Sequence, residues 1–330
     1  MGSVTTVSST PSSSTTTPTL TIAVLTFRRP DDLGAILPAL VEQAASVSGQ
    51  ATARVLVVDN DPAASARDAV TLAGAVADQR GVRIDYVSET EPGIAVARNR
   101  ALAESSEFDL LVFIDDDERP SATWLADLLA LQRERHAAAV VGPVVSAFAH
   151  EPDPWITAGE FFVRRRLPTG TAVEVAATNN LLLNLAFIRR EGLRFDAELA
   201  VHGGEDTLFT RQIVARGGLM LWCAEALVTD VVPPSRLTRR WVVLRAFSSG
   251  NGWSLTSVML APGALARGRV RARLTARGLV RVLGGVARIL RGVLLRSVAQ
   301  RARGVRTLAR GAGMLGGAWG YRYQEYSRAE

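Results

Sequence analysis

The sequence predicts an α/β protein: a Rossmann-like, doubly wound mixed sheet followed by a C-terminal amphipathic helical extension. Three observations predict it. Short apolar, β-branched runs alternate with helix-length segments from about residue 20 to residue 145. Polar or acidic clusters close the strand-like runs at Thr26-Phe27-Arg28, Asp59-Asn60-Asp61 and Asp115-Asp116-Asp117, and ligands bind at the carboxyl ends of the strands in such sheets. Positive charge is segregated: residues 1–260 carry 23 Arg against 30 acidic residues, whereas residues 261–330 carry 15 Arg against two.

Residues 1–19 hold six Ser and seven Thr and no charge, which predicts a disordered tail. They lack the basic start and apolar stretch of a secretory leader. Thr21–Phe27 predicts a buried strand, and Pro30-Asp31 opens a helix to about Ser46. A strand over Arg54–Val58, a helix over Ala63–Gln79 and a strand over Val82–Val87 follow. Pro92-Gly93 leads into a helix over Ile94–Ala103, then come a strand over Leu110–Ile114, a helix over Trp124–Arg135 and a strand over Ala139–Val145. From about Trp155 to Trp241 the pattern is less regular, with a short helix over Thr207–Ala215. Residues 246–266 are uncharged, but their Ser, Asn, Gly and Pro make a poor membrane span. The resulting organisation is a tail (1–19), a globular domain (20–250) and a basic helical segment (251–330).

Composition narrows the function. The 330 residues, 48% of them hydrophobic, suffice for one large core and an appendage. A single cysteine, Cys223, excludes an internal disulfide framework and a cysteine-based zinc site. All 38 basic residues are Arg, and residues 261–318 hold 13 of them with no aromatic. Single-strand nucleic-acid binders interleave the two, so that partner is not expected. A sugar nucleotidyltransferase would carry an early Gly-rich phosphate loop, and Thr26–Pro30 has no glycine.

The chemistry concentrates in the acidic clusters. Consecutive carboxylates at Asp115-Asp116-Asp117 repel one another and call for a cation. Mg²⁺ or Mn²⁺ suits carboxylate oxygens and commonly bridges to substrate phosphates. Asp59 has two open roles, accepting from a nucleobase imide or forming a turn before Pro62. Arg98, beside Asn99, is either a phosphate or base contact or a surface arginine. Glu205-Asp206, after two glycines, is either a helix cap or a general base. His202 is a rival base.

In order, Thr-Phe-Arg-Arg-Pro, Val-Val-Asp-Asn-Asp, Pro-Gly-Ile-Ala-Val-Ala-Arg-Asn, Asp-Asp-Asp and Gly-Gly-Glu-Asp resemble the family 2 glycosyltransferases over about residues 20–250. The likeness is closest to members that build bacterial exopolysaccharide repeat units, the succinoglycan type. The resemblance implies a GT-A fold, inversion at the anomeric carbon, and a nucleotide-sugar donor such as a UDP-hexose. It implies that Thr26, Arg28, Asp59 and Arg98 bind the nucleoside. It assigns Asp115 and Asp117, with Asp116 between them, to ribose and a Mn²⁺ or Mg²⁺ ion. Asp206 is the implied base with Glu205 beside it, and Asn179 and Asn180 contact donor sugar or acceptor. Arg236, Trp241 and Arg245 fall on the acceptor side. Where many relatives have a histidine after the late strand, this chain has Asp230, a candidate oxygen ligand. Arg239-Arg240-Trp241 matches only half of the processive-synthase signature, so a polymerase is not expected.

On a helical wheel at about 100° per residue, Arg277, Arg281, Arg288 and Arg291 share one face, with Arg306 and Arg310 in phase. Val282, Leu283, Val286, Ile289, Leu290 and Val293 share the other, and Leu295 and Arg301 are exceptions. Gly284-Gly285 and Gly311–Gly317 predict breaks into two or three helices. A basic amphipathic helix suits an anionic membrane surface, where a lipid-linked glycan acceptor would be met. That places the protein in the cytoplasm, peripheral on the inner face of the cell membrane. Docking of the helices on the acidic globular domain is the competing arrangement.

Overall fold

The computed structural model describes residues 17–199 and 203–324. Most of the Ser/Thr-rich tail and His202 lie outside the described residues.

Strands β1 (Thr19–Thr26), β2 (Thr52–Asp59), β3 (Arg83–Ser88) and β4 (Leu110–Asp115) are the apolar runs of the sequence. They are followed by β5 (Glu118–Pro120), β6 (Ala139–Val141), β7 (Val144–Phe148), β8 (Asn180–Asn184), β9 (Met220–Trp222) and β10 (Val228–Val232). Among the described residues, seven strands form one sheet in the order β3-β2-β1-β4-β8-β6-β9, and β5-β10-β7 form a second. The first four are parallel, while β8 runs antiparallel to both β4 and β6, so the sheet is mixed.

Helices α1 (Pro30–Ser46), α2 (Arg67–Gln79) and α4 (Trp124–Arg135) cover one face of the large sheet. Helix α3 (Ile94–Glu104), the short α5 (Pro154–Ala158) and α6 (Leu185–Arg190), and α7 (Glu205–Ala215) complete the globular part, and α3, α6 and α7 pack on the opposite face. Strands buried on both faces read as continuous apolar runs for this reason.

The strand predicted over Ala139–Val145 is two strands in different sheets. Pro143 has no N–H for a ladder, and a side chain at Gly142 would lie 2.1 Å from the Ala226 carbonyl oxygen. The chain therefore crosses from one sheet to the other at this dipeptide.

The C-terminal part is a three-helix unit: α8 (Arg239–Met259), α9 (Gly263–Leu294) and α10 (Val298–Ala318). None of the described helices is long and apolar enough to cross a membrane. The glycines expected to break helices lie inside continuous ones. Gly278 and Gly285 of α9 face Gly311 and Gly304 of α10, Gly292 faces Arg301, and the close approach leaves no room for a Cβ. Glycine weakens a lone helix, but here it permits a close approach that favours dispersion contacts. The actual break, at 295–297, contains no glycine. Asn251 of α8 pins the unit by donating to the Gly313 and Tyr321 carbonyls and accepting from Tyr323 N.

Helix α10 docks on the globular part. Arg303 donates to the Ala158 carbonyl and pairs with Glu160, and Arg306 donates to the Glu160 carbonyl. Helix α9 lies outside it, and the apolar face expected from the wheel is divided. Ile289 and Val282 lie against Gly304 and Gly311, while Leu283 is 67% exposed, Leu290 64% and Leu294 83%, alongside Leu279, Val286 and Val293.

A methyl group separates the two kinds of glycine. Gly313→Ala would place a Cβ 2.0 Å from the Phe247 carbonyl oxygen, and the resulting overpacking should cost about 1–3 kcal/mol. Gly284 has open space around it, so Gly284→Ala should stabilise by ~0.5–1 kcal/mol. Thermal unfolding of the two variants should therefore shift in opposite directions. Equal shifts would contradict the close-packed arrangement.

Candidate active site

Parallel register brings the ends of β1, β2 and β4 together: Thr26 pairs with Asp59, and Leu25 with Asp115. Four consecutive acids follow from the end of β4, and the chain turns there into β5. Strand β10 pairs antiparallel with β5, setting Asp230 opposite Glu118, and Val231 N donates to the Asp117 carbonyl at 3.0 Å. Asp115, Asp116, Asp117, Glu118 and Asp230 thus converge, although Asp230 is more than 100 residues away in sequence.

Such crowding is tolerable only with compensating donors. Thr26 Oγ1 donates to Asp116 Oδ2 at 2.8 Å. Arg29 bridges Asp116 Oδ1 and Asp117 Oδ2 at 3.1 and 3.0 Å. Arg236 reaches the same Asp117 Oδ2 at 3.2 Å. Arg164 pairs with Asp230. Asn179 Nδ2 donates to Glu118 Oε1 at 2.5 Å, and Asp115 N to Glu118 Oε2 at 3.0 Å.

Asp115, Asp116, Glu118 and Asp230 nonetheless hold protons more tightly than usual. Burial pushes Asp115 up to about 7; Arg98 opposes the shift, and Asp117, Asp116 and Asp230 add to it. Burial and then Asp115 raise Glu118 well above its ordinary range. Burial also raises Asp116 against the pull of Arg29, and Asp230 against that of Arg164.

These residues suit a hard divalent cation by donor chemistry, since all are carboxylate oxygens. Asp230 Oδ1 is buried without a hydrogen-bond partner. Among the described residues no group of three or more His, Cys, Asp or Glu forms a ready-made metal cage. The arrangement fits an ion held by one or two carboxylates and completed by substrate phosphate.

Arg98 leads from this cluster to the second acidic pair. It is buried, ion-paired with Glu205, and lies over the Phe195 ring at 5.6 Å. Glu205 Oε2 is buried and unpartnered. Burial raises the Glu205 pKa, against Arg98 and together with Asp206. Gly203 and Gly204 have positive φ of 73° and 93°, a conformation glycine adopts freely. They turn the chain into α7 so that Asp206 is half-buried, its Oδ1 accepting from Thr207 N.

Several sequence-selected residues are engaged in the scaffold. Asp59 is buried and accepts from Asp61 N, Ala66 N and the Tyr86 hydroxyl, so it orders the loop after β2. Asn99 exchanges two hydrogen bonds with the Phe195 backbone. Asn180 holds the Pro143 and Ala226 carbonyls and accepts from Trp124. Arg28 has a left-handed φ of 54°, which leaves its side chain 62% exposed beside Asp61.

Three site residues escaped the sequence reading. Arg29, not Arg28, faces the acids, and the Arg-Arg pair in the first motif was its available signal. Glu118 continues the Asp run by one residue. Arg164 carried no local signal.

On the other side of β10, a cleft of about 280 Å³ is lined by Phe148, Phe162, Arg164 and Ser146 among others. Trp241 stacks on Phe162 with a centroid separation of 6.0 Å. Ser146 pairs with Asp230 in the ladder, and its Oγ is buried without a partner. Arg245 lies on α8, four residues beyond Trp241.

The family model described as glycosyl transferase family 2 matches residues 21–190. The chain is 35% identical over 229 residues to the succinoglycan biosynthesis protein ExoM of Rhizobium meliloti (strain 1021), covering 69% of this chain and 72% of ExoM. Among solved structures it is similar to the mannosyltransferase PcManGT from Pyrobaculum calidifontis in complex with GDP-Man and Mn²⁺. The TM-score is 0.61 at 16% identity, covering 92% of this chain and 88% of that one. It is also similar to S. aureus TarS 1–349 in complex with UDP-GlcNAc, with a TM-score of 0.51 at 13% identity, covering 88% and 91%. These likenesses show the GT-A fold.

The raised Asp115 pKa makes a signed prediction. The folded chain keeps this proton up to about 7, whereas an unfolded aspartate releases it near ~3.9. Between those values unfolding releases a proton, so rising pH favours unfolding until the cost is complete above 7. Asp115→Asn should therefore raise the melting temperature at pH 8 by ~2 °C or more, with a gain that shrinks toward pH 4. A gain independent of pH would contradict the account.

Proposed function

From the premise that this chain belongs to glycosyl transferase family 2 and is a glycosyltransferase of GT-A fold, we propose that it transfers a hexose from a UDP-sugar, UDP-glucose first, to a hydroxyl of a lipid-linked glycan, with inversion. One observation carries the donor side: five carboxylates gathered beyond the ends of the central strands and held there by arginines. A diphosphate is an anion that such a site accepts only with added positive charge. Asp117, with Asp115 and Asp230 beside it, would hold Mg²⁺ or Mn²⁺, which supplies that charge against the leaving group. Arg29 and Arg236 are placed to turn from Asp117 to the phosphates, where bidentate guanidinium contacts are strong.

Asp206 is the base. It is the more open of the adjacent carboxylates, whereas Glu205 is buried against Arg98. Asp206 takes the proton of the acceptor hydroxyl, and the oxygen attacks the anomeric carbon opposite the departing diphosphate. The C–O bond to phosphate breaks and the nucleoside diphosphate leaves with the electron pair. The acceptor enters by the cleft at Phe162, Trp241 and Ser146, where aromatic faces suit sugar rings and the unpartnered hydroxyl suits sugar hydroxyls.

Asp206→Asn should keep nucleotide-sugar affinity while turnover falls ~10²–10⁴-fold. If Glu205→Gln is inactive and Asp206→Asn remains active, the base is Glu205.

The exposed apolar ridge of α9, set among arginines, lies on an anionic membrane surface in this reading, which places the enzyme on the cytoplasmic face. The double variant Leu283→Ser/Leu290→Ser should lose cosedimentation with vesicles containing phosphatidylglycerol at low salt. Undiminished binding of that variant would remove the membrane role of the ridge.

A further inference from the structure

The three C-terminal helices border a second, open cavity of about 540 Å³, well apart in sequence from the carboxylate cluster. Its walls are Trp253 of α8, Arg277, Val280 and Arg281 of α9, and Arg310 and Met314 of α10. Two chemistries meet there. Trp253, Val280 and Met314 offer hydrocarbon and an indole face. Three guanidinium groups converge from two helices, and none forms an ion pair with a described residue.

Acid is missing from the neighbourhood by sequence: residues 261–324 contain no Asp or Glu. Burial, and then the nearby Arg281 and Arg306, lower the Arg310 pKa. An arginine remains cationic all the same, so like charges stand together in a concave, partly apolar site without a counter-ion. The arginines that are withdrawn from solvent elsewhere in the chain have acidic partners. Arg98 has Glu205, and Arg54 has Asp85 at 2.5 Å. All three arginines are exposed to solvent, so the groove presents uncommitted guanidinium donors that an external anion can engage.

We propose that this cavity is a binding site for a phosphate-bearing amphiphile, with the phosphate held by Arg277, Arg281 and Arg310 and the hydrocarbon laid against Trp253, Val280 and Met314. Guanidinium forks match phosphate oxygens in geometry as well as charge. Basic pockets between helices bind phosphorylated lipid headgroups on the same principle. The apolar half of the cavity decides for an amphiphile over a simple anion. Val280, 70% exposed, borders both the cavity and the ridge of Leu279 and Leu283, so a tail leaving the cavity continues along that ridge. The site deepens the proposed membrane-facing role of these helices and rests on it: it would convert nonspecific attraction into recognition of a single headgroup.

The test uses the full chain and a soluble probe. Octyl phosphate below its micelle concentration should bind in calorimetry, and octyl glucoside should not. Inorganic phosphate should bind at least ~10-fold more weakly, because it lacks the tail. Arg277→Gln/Arg281→Gln should weaken octyl phosphate at least ~10-fold, which is ~1.4 kcal/mol. Arg273→Gln/Arg291→Gln removes the same charge from exposed positions outside the cavity and should leave it unchanged. Equal weakening by both pairs, or no binding by the wild-type chain, overturns the proposal. Equal affinity for inorganic phosphate overturns the amphiphile and leaves a simple anion site. Loss of octyl phosphate binding in the pocket variant with vesicle association retained supports a discrete site. Failure of the wild-type chain to associate with vesicles while octyl phosphate still binds would remove the membrane reading alone.

Discussion

Repulsion among five carboxylates is the constraint around which the globular half is arranged. Asp115, Asp116, Asp117, Glu118 and Asp230 could not remain together at the end of β4 without donors from distant parts of the chain. Those donors are Thr26 and Arg29 after β1, Arg164 before β8, Asn179 at the start of β8 and Arg236 before α8. Each tie also fixes a loop, so neutralising the cluster and shaping the cleft are one task. Burial first, and the neighbouring carboxylates after it, raise the Asp115 and Glu118 pKa values. Functional sites commonly carry such unresolved cost. A diphosphate arriving with its own cation would relieve it.

The helical half solves a different problem. Its sequence carries many arginines, many of its large apolar residues stay exposed, and its core is small: Val258, Leu274, Met314 and Ala318. Cohesion comes from backbone contact at Gly250, Gly285, Gly304 and Gly313 instead. Placing the glycines at the helix interfaces leaves the leucines of α9 facing outward. Packing of α10 against α5 through Arg303, Arg306 and Glu160 joins this unit to the wall of the cleft at Phe162.

Much of this was legible in the sequence. Strands buried on both faces leave unbroken apolar runs, so β1, β2 and β4 and the acidic ends of β2 and β4 were visible. The family resemblance added the GT-A fold. What could not be read depended on tertiary partners. Nothing local distinguishes Arg28 from Arg29; the left-handed φ at Arg28 decides which one turns inward. The loop-closing hydrogen bonds of Asp59, Asn99 and Asn180 join segments distant in sequence and leave no local signal. The glycines of α9 and α10 looked like breaks because propensity describes an isolated helix, and here close packing overrides it. The ladder that sets Asp230 opposite Glu118 spans more than 100 residues and leaves no trace in spacing.

The central claim is that the carboxylate cluster becomes a cation site only together with a nucleoside diphosphate, because arginines occupy Asp117 in the free protein and no ready-made cage exists among the described residues. Electron paramagnetic resonance titration of Mn²⁺ tests it directly. The account predicts weak binding to the free protein, on the order of millimolar, and at least ~100-fold tighter binding, ~2.7 kcal/mol, once UDP is present. Tight, stoichiometric Mn²⁺ binding without nucleotide, or no enhancement by UDP, would contradict it.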